Sequence, residues 1–173
     1  MVEPVTAQHR AGEVELRTND RASLPAFAAL NRRWIEELHH MEPSDLAMVA
    51  DPGIYLAGGG RVITAHITNA GGGGEVAGAV ALKPHTEGEH AGQWELTKMA
   101  VDPRFQGRGV GQALLDEAHR VARDELGLRG LFLLSNTKNA AALRLYARNG
   151  WEVNHRGPHP VYARCDIGME KML

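Results

Sequence analysis

The residues of this chain best placed to do chemistry form one string, Gln106-Gly107-Arg108-Gly109-Val110-Gly111. Glycines at 107, 109 and 111 let a backbone approach a ligand closely and aim several N–H groups the same way. An apolar run ending at Val101 and a turn, Asp102-Pro103, precede the string, and an amphipathic segment, Val110 to Leu126, follows it. The order is therefore strand, turn, glycine loop, helix. A helix start adds unpaired donors and the positive end of a dipole. The combination is an anion site, suited to phosphate or pyrophosphate.

Two common phosphate loops are excluded by spacing. A Walker-type loop needs Gly-Lys-Ser/Thr at the helix start, and Gln112-Ala113 stands there instead. The dinucleotide pattern G-x-G-x-x-G, counted from Gly107, puts Gln112 at its last glycine. What remains is Q-x-x-G-x-G within Val101-Asp102-Pro103-Arg104-Phe105-Gln106-Gly107-Arg108-Gly109-Val110-Gly111-Gln112-Ala113-Leu114-Leu115. This string resembles the coenzyme A pyrophosphate loop of the GNAT acyltransferase superfamily. A second string resembles that family's pattern N-x-x-A-x-x-x-Y-x-x-x-G-F. It runs from Asn139 through Ala142 and Tyr146 to Gly150, with Trp151 in place of the usual Phe.

The resemblance implies an acetyl-CoA-dependent N-acetyltransferase. Gln106, Gly107, Arg108, Gly109, Val110 and Gly111 would bind the pyrophosphate. The backbone of Met99, Ala100 and Val101 would bind pantetheine where their strand splays from its parallel neighbour, and Asn139 would hydrogen-bond the pantetheine arm. Arg104 is a second cation within reach of phosphates, with solvated surface as its alternative.

Acyl transfer from a thioester to an amine needs a deprotonated amine, a stabilised oxyanion and a proton for the leaving thiolate. A free alkyl amine has a pKa of about 10.4, so its extra proton must be taken first. Glu95 lies eleven residues before Gln106, where the family commonly places a glutamate base. Flanked by Trp94 and Leu96, it stands where desolvation makes a carboxylate a better base. A salt bridge to Lys98 is the competing assignment. Tyr146 is the candidate acid; a phenol can donate to a developing thiolate, and a core tyrosine is its alternative.

By the same resemblance, the acceptor pocket is expected to draw on the first two helices and the loop between the last strands. Arg33, Trp34, His39, His40, His155, His159, Tyr162 and Arg164 fall there. Arg33 or Arg164 could hold a substrate carboxylate, with surface salt bridging as the alternative, and Tyr162 joins them as a substrate candidate. Trp34 sits on an apolar helical stripe and reads as core. The expected acceptor is the primary amine of a small molecule or an amino-acid-like acceptor. A protein lysine or N-terminus, or a coenzyme A sensor without turnover, are the rival readings.

The elements that must position these groups are legible from periodicity. Glu13 to Thr18 alternates as a strand, after a loose tail over residues 1–12. Phe27, Leu30, Trp34, Ile35 and Leu38 recur at helical spacing after Ser23, a candidate N-cap. Ser44-Asp45 caps a short second helix to about Ala50, and Ile54 to Leu56 is ambiguous. Strands follow at 62–67, 75–82 and 93–101, the first two joined by a glycine-rich hairpin loop over 69–74. Val110 to Leu126 is a helix, Leu131 to Leu134 a buried strand, and Asn139 to Asn149 a helix closed by Gly150. Residues 151–155 and 165–171 are the last strands. The class is α+β, a mixed and mostly antiparallel central sheet with helices on both faces, an order of elements that resembles the GNAT-type fold.

Composition sets outer limits. The 173 residues fit one domain, and an apolar share of 43% is ordinary for a folded protein. A net charge of −2 argues against nucleic acid as partner. No apolar run is long enough to span a membrane. A lone Cys165 forms no internal disulfide and suits a reducing cytoplasm. Nine histidines fall in no metal-ligand spacing, so no metal is expected. A monomer or homodimer is expected.

Overall fold

The alternation that begins at Glu13 becomes strand β2 (Val14–Thr18), with Val14, Leu16 and Thr18 buried and Glu15 and Arg17 half-open. The structure, a computed structural model, describes residues 6–8, 14–68 and 74–173. Of the expected tail, Thr6–Gln8 is a short strand, β1, antiparallel to β2 with Ala7 opposite Leu16. The rest of that tail lies outside the described residues, as does the glycine-rich hairpin loop at 69–73.

Helix α1 (Leu24–Leu38) starts with Pro25 in its first turn, where a missing N–H costs nothing. Ser23 precedes it but makes no capping bond; its hydroxyl donates to Asp20 instead. Helix α2 (Pro43–Ala50) is capped two residues earlier than the sequence suggests. Glu42 is the N-cap, and Asp45 returns a bond to its backbone N–H, which closes a capping box. The ambiguous Ile54 stretch is a single helical turn, α3 (Ile54–Ala57).

Strands β3 (Arg61–Thr68), β4 (Gly74–Pro84) and β5 (Trp94–Val101) form an antiparallel meander. Helix α4 (Val110–Arg120) runs on through a wider turn, Val121–Glu125. Then come β6 (Gly130–Ser135), α5 (Ala140–Arg148), β7 (Glu152–Arg156) and β8 (Ile167–Met172). The described strands make one sheet in the order β1-β2-β3-β4-β5-β6-β8-β7, antiparallel except for β5 beside β6.

Each face of the sheet carries its own core. Val80 and Leu82 of β4 point to one face, with Leu114, Leu115, Ala118, Val121 and Ala122 of the α4 segment. Ala79 and Ala81, the alternate residues, meet Phe27, Ala28, Met48 and Tyr55 on the other. Leu114 and Leu115 are sealed from solvent, a burial of about 1.5–3 kcal/mol each. Gly78 permits this packing: a Cβ there would stand 2.9 Å from Leu114 Cδ1 and 3.0 Å from Val110 Cγ1. The start of α4 is thereby pressed against β4.

Two irregularities prepare the site. Strands β5 and β6 pair in register only at Glu95–Phe132, while β6 pairs with β8 along its whole length. Past Glu95 the two parallel strands therefore diverge. Strand β5 also bulges against β4: Ala81 opposes Thr97 and Ala79 opposes Ala100, so Val80 faces both Lys98 and Met99.

Candidate active site

The diverging strands open a cavity of about 690 Å³ that runs from the α4 N-terminus past β5 to Glu95. At one end the glycine loop is strung between two buried anchors, Phe105 and Val110. Gly109 caps α4 at φ 79°, in the left-handed region, and Gly107 sits at φ 77°. No side chain caps α4 and its first turn holds no acidic residue, so its leading N–H groups and dipole remain open to an anion. Gln106, Gly107, Gly109, Val110 and Gly111 line the cavity. Arg108 does not; its guanidinium lies 5.6 Å from the centre of the Phe105 ring. Arg104 is held by Asp102 and Glu75, each at 2.9 Å, so it braces the turn before the loop.

Along the middle of the cavity run Met99, Ala100 and Val101 on one wall and α5 on the other. From Leu96 to Val101, β5 has no registered pairing with β6, which leaves peptide groups free for a ligand's amides. Asn139 sits at the α5 N-cap and donates to Ser135 Oγ at 3.2 Å. Among the described residues its Oδ1 is buried without a hydrogen-bond partner, as an acceptor waiting for a ligand N–H would be. Tyr146 is buried, and its hydroxyl meets Met99 Sδ at 3.5 Å. Burial pushes this phenol far above its ordinary range, so it keeps its proton until a stronger base faces it.

Glu95 stands where the strands part. Its Oε2 lies 2.7 Å from His85 Nε2, with side chains only 12% and 13% exposed. His85 packs on Phe132 at 5.3 Å and on His90 at 6.0 Å between ring centres. Lys98 is not the partner of Glu95; its ammonium goes to Asp45. Burial, with the Glu95 charge adding to it, raises the phenols of Tyr55 and Tyr162 above their ordinary range. Both rings line this end of the cavity, together with Trp34, Leu38 and Ser44.

Asp45 is fully buried and holds two cations, Lys98 and, through both guanidinium nitrogens at 2.6 and 3.0 Å, Arg164. Burial opposes its charge, yet Arg164 and Lys98 hold its carboxyl well below the usual range. Arg164, expected to meet a substrate carboxylate, lines the cavity with its fork already engaged. Arg33, the other such candidate, lies on the outer face of α1, paired with Glu37 at 3.2 Å and away from the cavity. Tyr162 does reach it. Of the expected pocket histidines, His39, His40, His155 and His159 stay off the lining.

Periodicity placed Trp34 in the core, but it forms part of the cavity wall and donates its indole N–H to Asn31. Cys165 also lines the cavity, and burial pushes its thiol up to about 11, so a thiolate is disfavoured there. Glu89, His90 and His159 bring potential ligand atoms within 4.8 Å of one another. However, His159 Nδ1 accepts the N–H groups of Val161 and Tyr162, both at 3.1 Å. The neutral ring then carries its proton on Nε2 and offers a metal no lone pair.

Comparison with known proteins gives a consistent picture. The family model described as "Acetyltransferase (GNAT) family" matches residues 26–151. Among solved structures, a GNAT-family acetyltransferase from Staphylococcus aureus Mu50 superposes with a TM-score of 0.73 at 19% identity, covering 92% of this chain and 99% of that one. A ribosomal-protein-alanine N-acetyltransferase from Brucella melitensis gives 0.70 at 24% identity, covering 91% and 99%. A spermidine N-acetyltransferase from Vibrio cholerae, solved with CoA and spermine, gives 0.65 at 21%, covering 92% and 95%. These likenesses show a common fold. No curated protein matches the chain by sequence. Among the described residues no helix is long and apolar enough to cross a membrane.

Proposed function

The chain belongs to the acetyltransferase (GNAT) family, and on that premise we propose that it transfers an acetyl group from acetyl-CoA to the primary amine of a small molecule or amino-acid-like acceptor, by direct attack within a ternary complex. The observation that carries this reading is the single cavity that joins the uncapped glycine loop, the unpaired edge of β5, Tyr146 and Glu95. Gly107–Gly111 would hold the pyrophosphate and Met99–Val101 the pantetheine arm, with Asn139 Oδ1 accepting from one of its amide N–H groups. The thioester then falls in the gap between the strands, near Tyr146.

In the chemical step, Glu95 takes a proton from the incoming ammonium, and the free amine attacks the thioester carbonyl carbon. A free backbone N–H of β5 stabilises the oxyanion. The intermediate collapses with cleavage of the C–S bond as Tyr146 protonates the departing thiolate; the second proton, which the attacking nitrogen sheds on becoming an amide, restores the phenol through solvent, and Glu95 releases the first to bulk water. The high thiol value of Cys165 supports direct transfer over a covalent acyl-cysteine route.

The acceptor end offers one carboxylate, two phenols and the faces of Trp34 and Leu38, which suits a small amine with an apolar body. The lone cysteine accords with a reducing, cytoplasmic setting. The deciding experiment is a library of small amines, amino acids and short peptides assayed for free coenzyme A thiol. Turnover on small amines supports the proposal. Turnover confined to peptides moves the acceptor to protein, and tight acetyl-CoA binding without turnover leaves a coenzyme sensor.

A further inference from the structure

We propose that Asp45 is a positioning residue for the coenzyme: its buried ion pair with Lys98 holds β5 in the bulge that presents Met99, Ala100 and Val101 to the cavity. This rests on reading that cavity as the acetyl-CoA site.

Lys98 lies at φ 54°, and Asn19 is the only other non-glycine residue with positive φ among the described residues. Asparagine enters this region readily, and Asn19 accepts the N–H of Val62 at 3.0 Å. Lysine has no such aptitude, because its Cβ crowds the carbonyl, so the conformation needs support from elsewhere. The support is visible at the far end of the side chain. Lys98 Nζ, on a side chain 9% exposed, bonds Asp45 Oδ1, whose side chain is fully buried. Asp45 is itself fixed, by its bond to the Glu42 N–H at 2.9 Å and by Arg164. The bulge is thereby tied to α2 and to the loop before β8.

The bulge decides what the following residues face. Closing it would slip β5 by one residue against β4, and in a strand a one-residue slip turns every side chain to the opposite face. Met99 would leave Tyr146, and the peptide groups beside the gap would change direction. Asp45 does not touch the glycine loop, so its effect on the coenzyme runs through the cations it holds, Lys98 at the bulge and Arg164 on the cavity wall.

The test is coenzyme A binding by calorimetry, with the fold of each variant checked by circular dichroism. Lys98→Gly and Lys98→Ala both remove the ammonium, but only glycine adopts a positive φ without strain. The expectation is that Lys98→Ala binds coenzyme A on the order of 10-fold more weakly than Lys98→Gly. Asp45→Asn should weaken binding similarly, and Lys98→Gly added to it should recover most of the loss. Equal affinities for the Gly and Ala variants would overturn the proposal, and that comparison stands even if Asp45→Asn fails to fold. Gly109→Asp separates the two readings. If it abolishes binding while Lys98→Ala and Asp45→Asn bind as wild type, Asp45 has no such role and the cavity remains the coenzyme site. If Gly109→Asp binds as wild type, the assignment of the cavity fails first.

Discussion

His85 Nε2 and Glu95 Oε2 are 2.7 Å apart at the point where the two parallel strands separate. His85, donating Nε2–H, engages one carboxylate oxygen and leaves Oε1, which has no partner among the described residues, for the amine. The histidine thus orients the proposed base. His85→Phe keeps the ring packed on Phe132 but loses the donor, and turnover should fall by about 10-fold. His85→Gln, whose amide can donate from a similar position, should retain most of the rate. Steady-state kinetics of the two variants on one amine checks this; equal losses would reduce His85 to packing.

Glu95→Gln tests the base itself. The amide keeps size and hydrogen bonding but cannot take a proton. Turnover at neutral pH should drop by roughly 10²- to 10⁴-fold. The deficit should shrink at high pH, where the amine arrives deprotonated. A loss that high pH does not relieve would mean that Glu95 orients the substrate without accepting its proton.

Gly109→Asp should abolish acetyl-CoA binding while the fold survives. A Cβ at Gly109 meets nothing within 4 Å, so the side chain has room. It would, however, strain a backbone at φ 79° and place a carboxylate in the proposed pyrophosphate site. Wild-type protein with acetyl-CoA at 100 times its dissociation constant should gain about 2.7 kcal/mol, seen as a raised melting temperature. The variant should show no such shift.

What could be read in the sequence was local. The glycine loop and the Asn139–Trp151 string each occupy contiguous residues, so the spacing of the first exposed an anion site and the resemblance of both to family patterns marked the rest. The Asp45 cluster was hidden because its members lie 53 and 119 positions apart. Arg164 was assigned by residue type to a substrate carboxylate, when the fold had supplied one from α2. The partnership of His85 with Glu95 depends on hairpin register, which sets Lys83 opposite Glu95 and brings the next loop over it. Lys98 was read only as a possible partner of Glu95, and its bulge escaped notice because no glycine marks it. Trp34 obeys the apolar period of α1, but a period does not say whether the space beside a stripe is filled or open.

Tyr146→Phe should lower turnover by roughly 10²-fold while coenzyme affinity stays near wild type. The phenol is buried against Met99, and its ring, which Phe preserves, also packs against Trp151 at 5.8 Å. Single-turnover measurements are the proper readout, because slow product release can mask a chemical defect. An unchanged single-turnover rate would leave Tyr146 as packing alone.

The last prediction concerns Trp151, the residue that departs from the family's usual Phe. Its indole N–H donates to His119 Nε2 at 3.0 Å, so that nitrogen must carry a lone pair and the ring must be neutral. Burial first, then the nearby Lys171 charge, pushes His119 down to about 4 from an ordinary 6.5. Unfolded chain therefore binds a proton below pH 6.5 that the folded chain refuses until about pH 4. The sign follows: the contribution to stability is complete above pH 6.5, falls as pH drops toward 4, and is flat below. Burial lowers His39 and His66 as well, and both act in the same direction. The His119 ring is only partly buried, so solvent screening leaves a loss of about 1 kcal/mol at pH 5, or about 2–4 °C in melting temperature for a chain of this size. Gln at 119 can accept the indole N–H and does not titrate. His119→Gln should match wild type near pH 7.5 and melt a few degrees higher at pH 5. Melting curves of both proteins from pH 4 to 8 decide it. Parallel curves would mean that His119 has the same proton affinity folded and unfolded, and that the Trp151 bond does not hold it neutral.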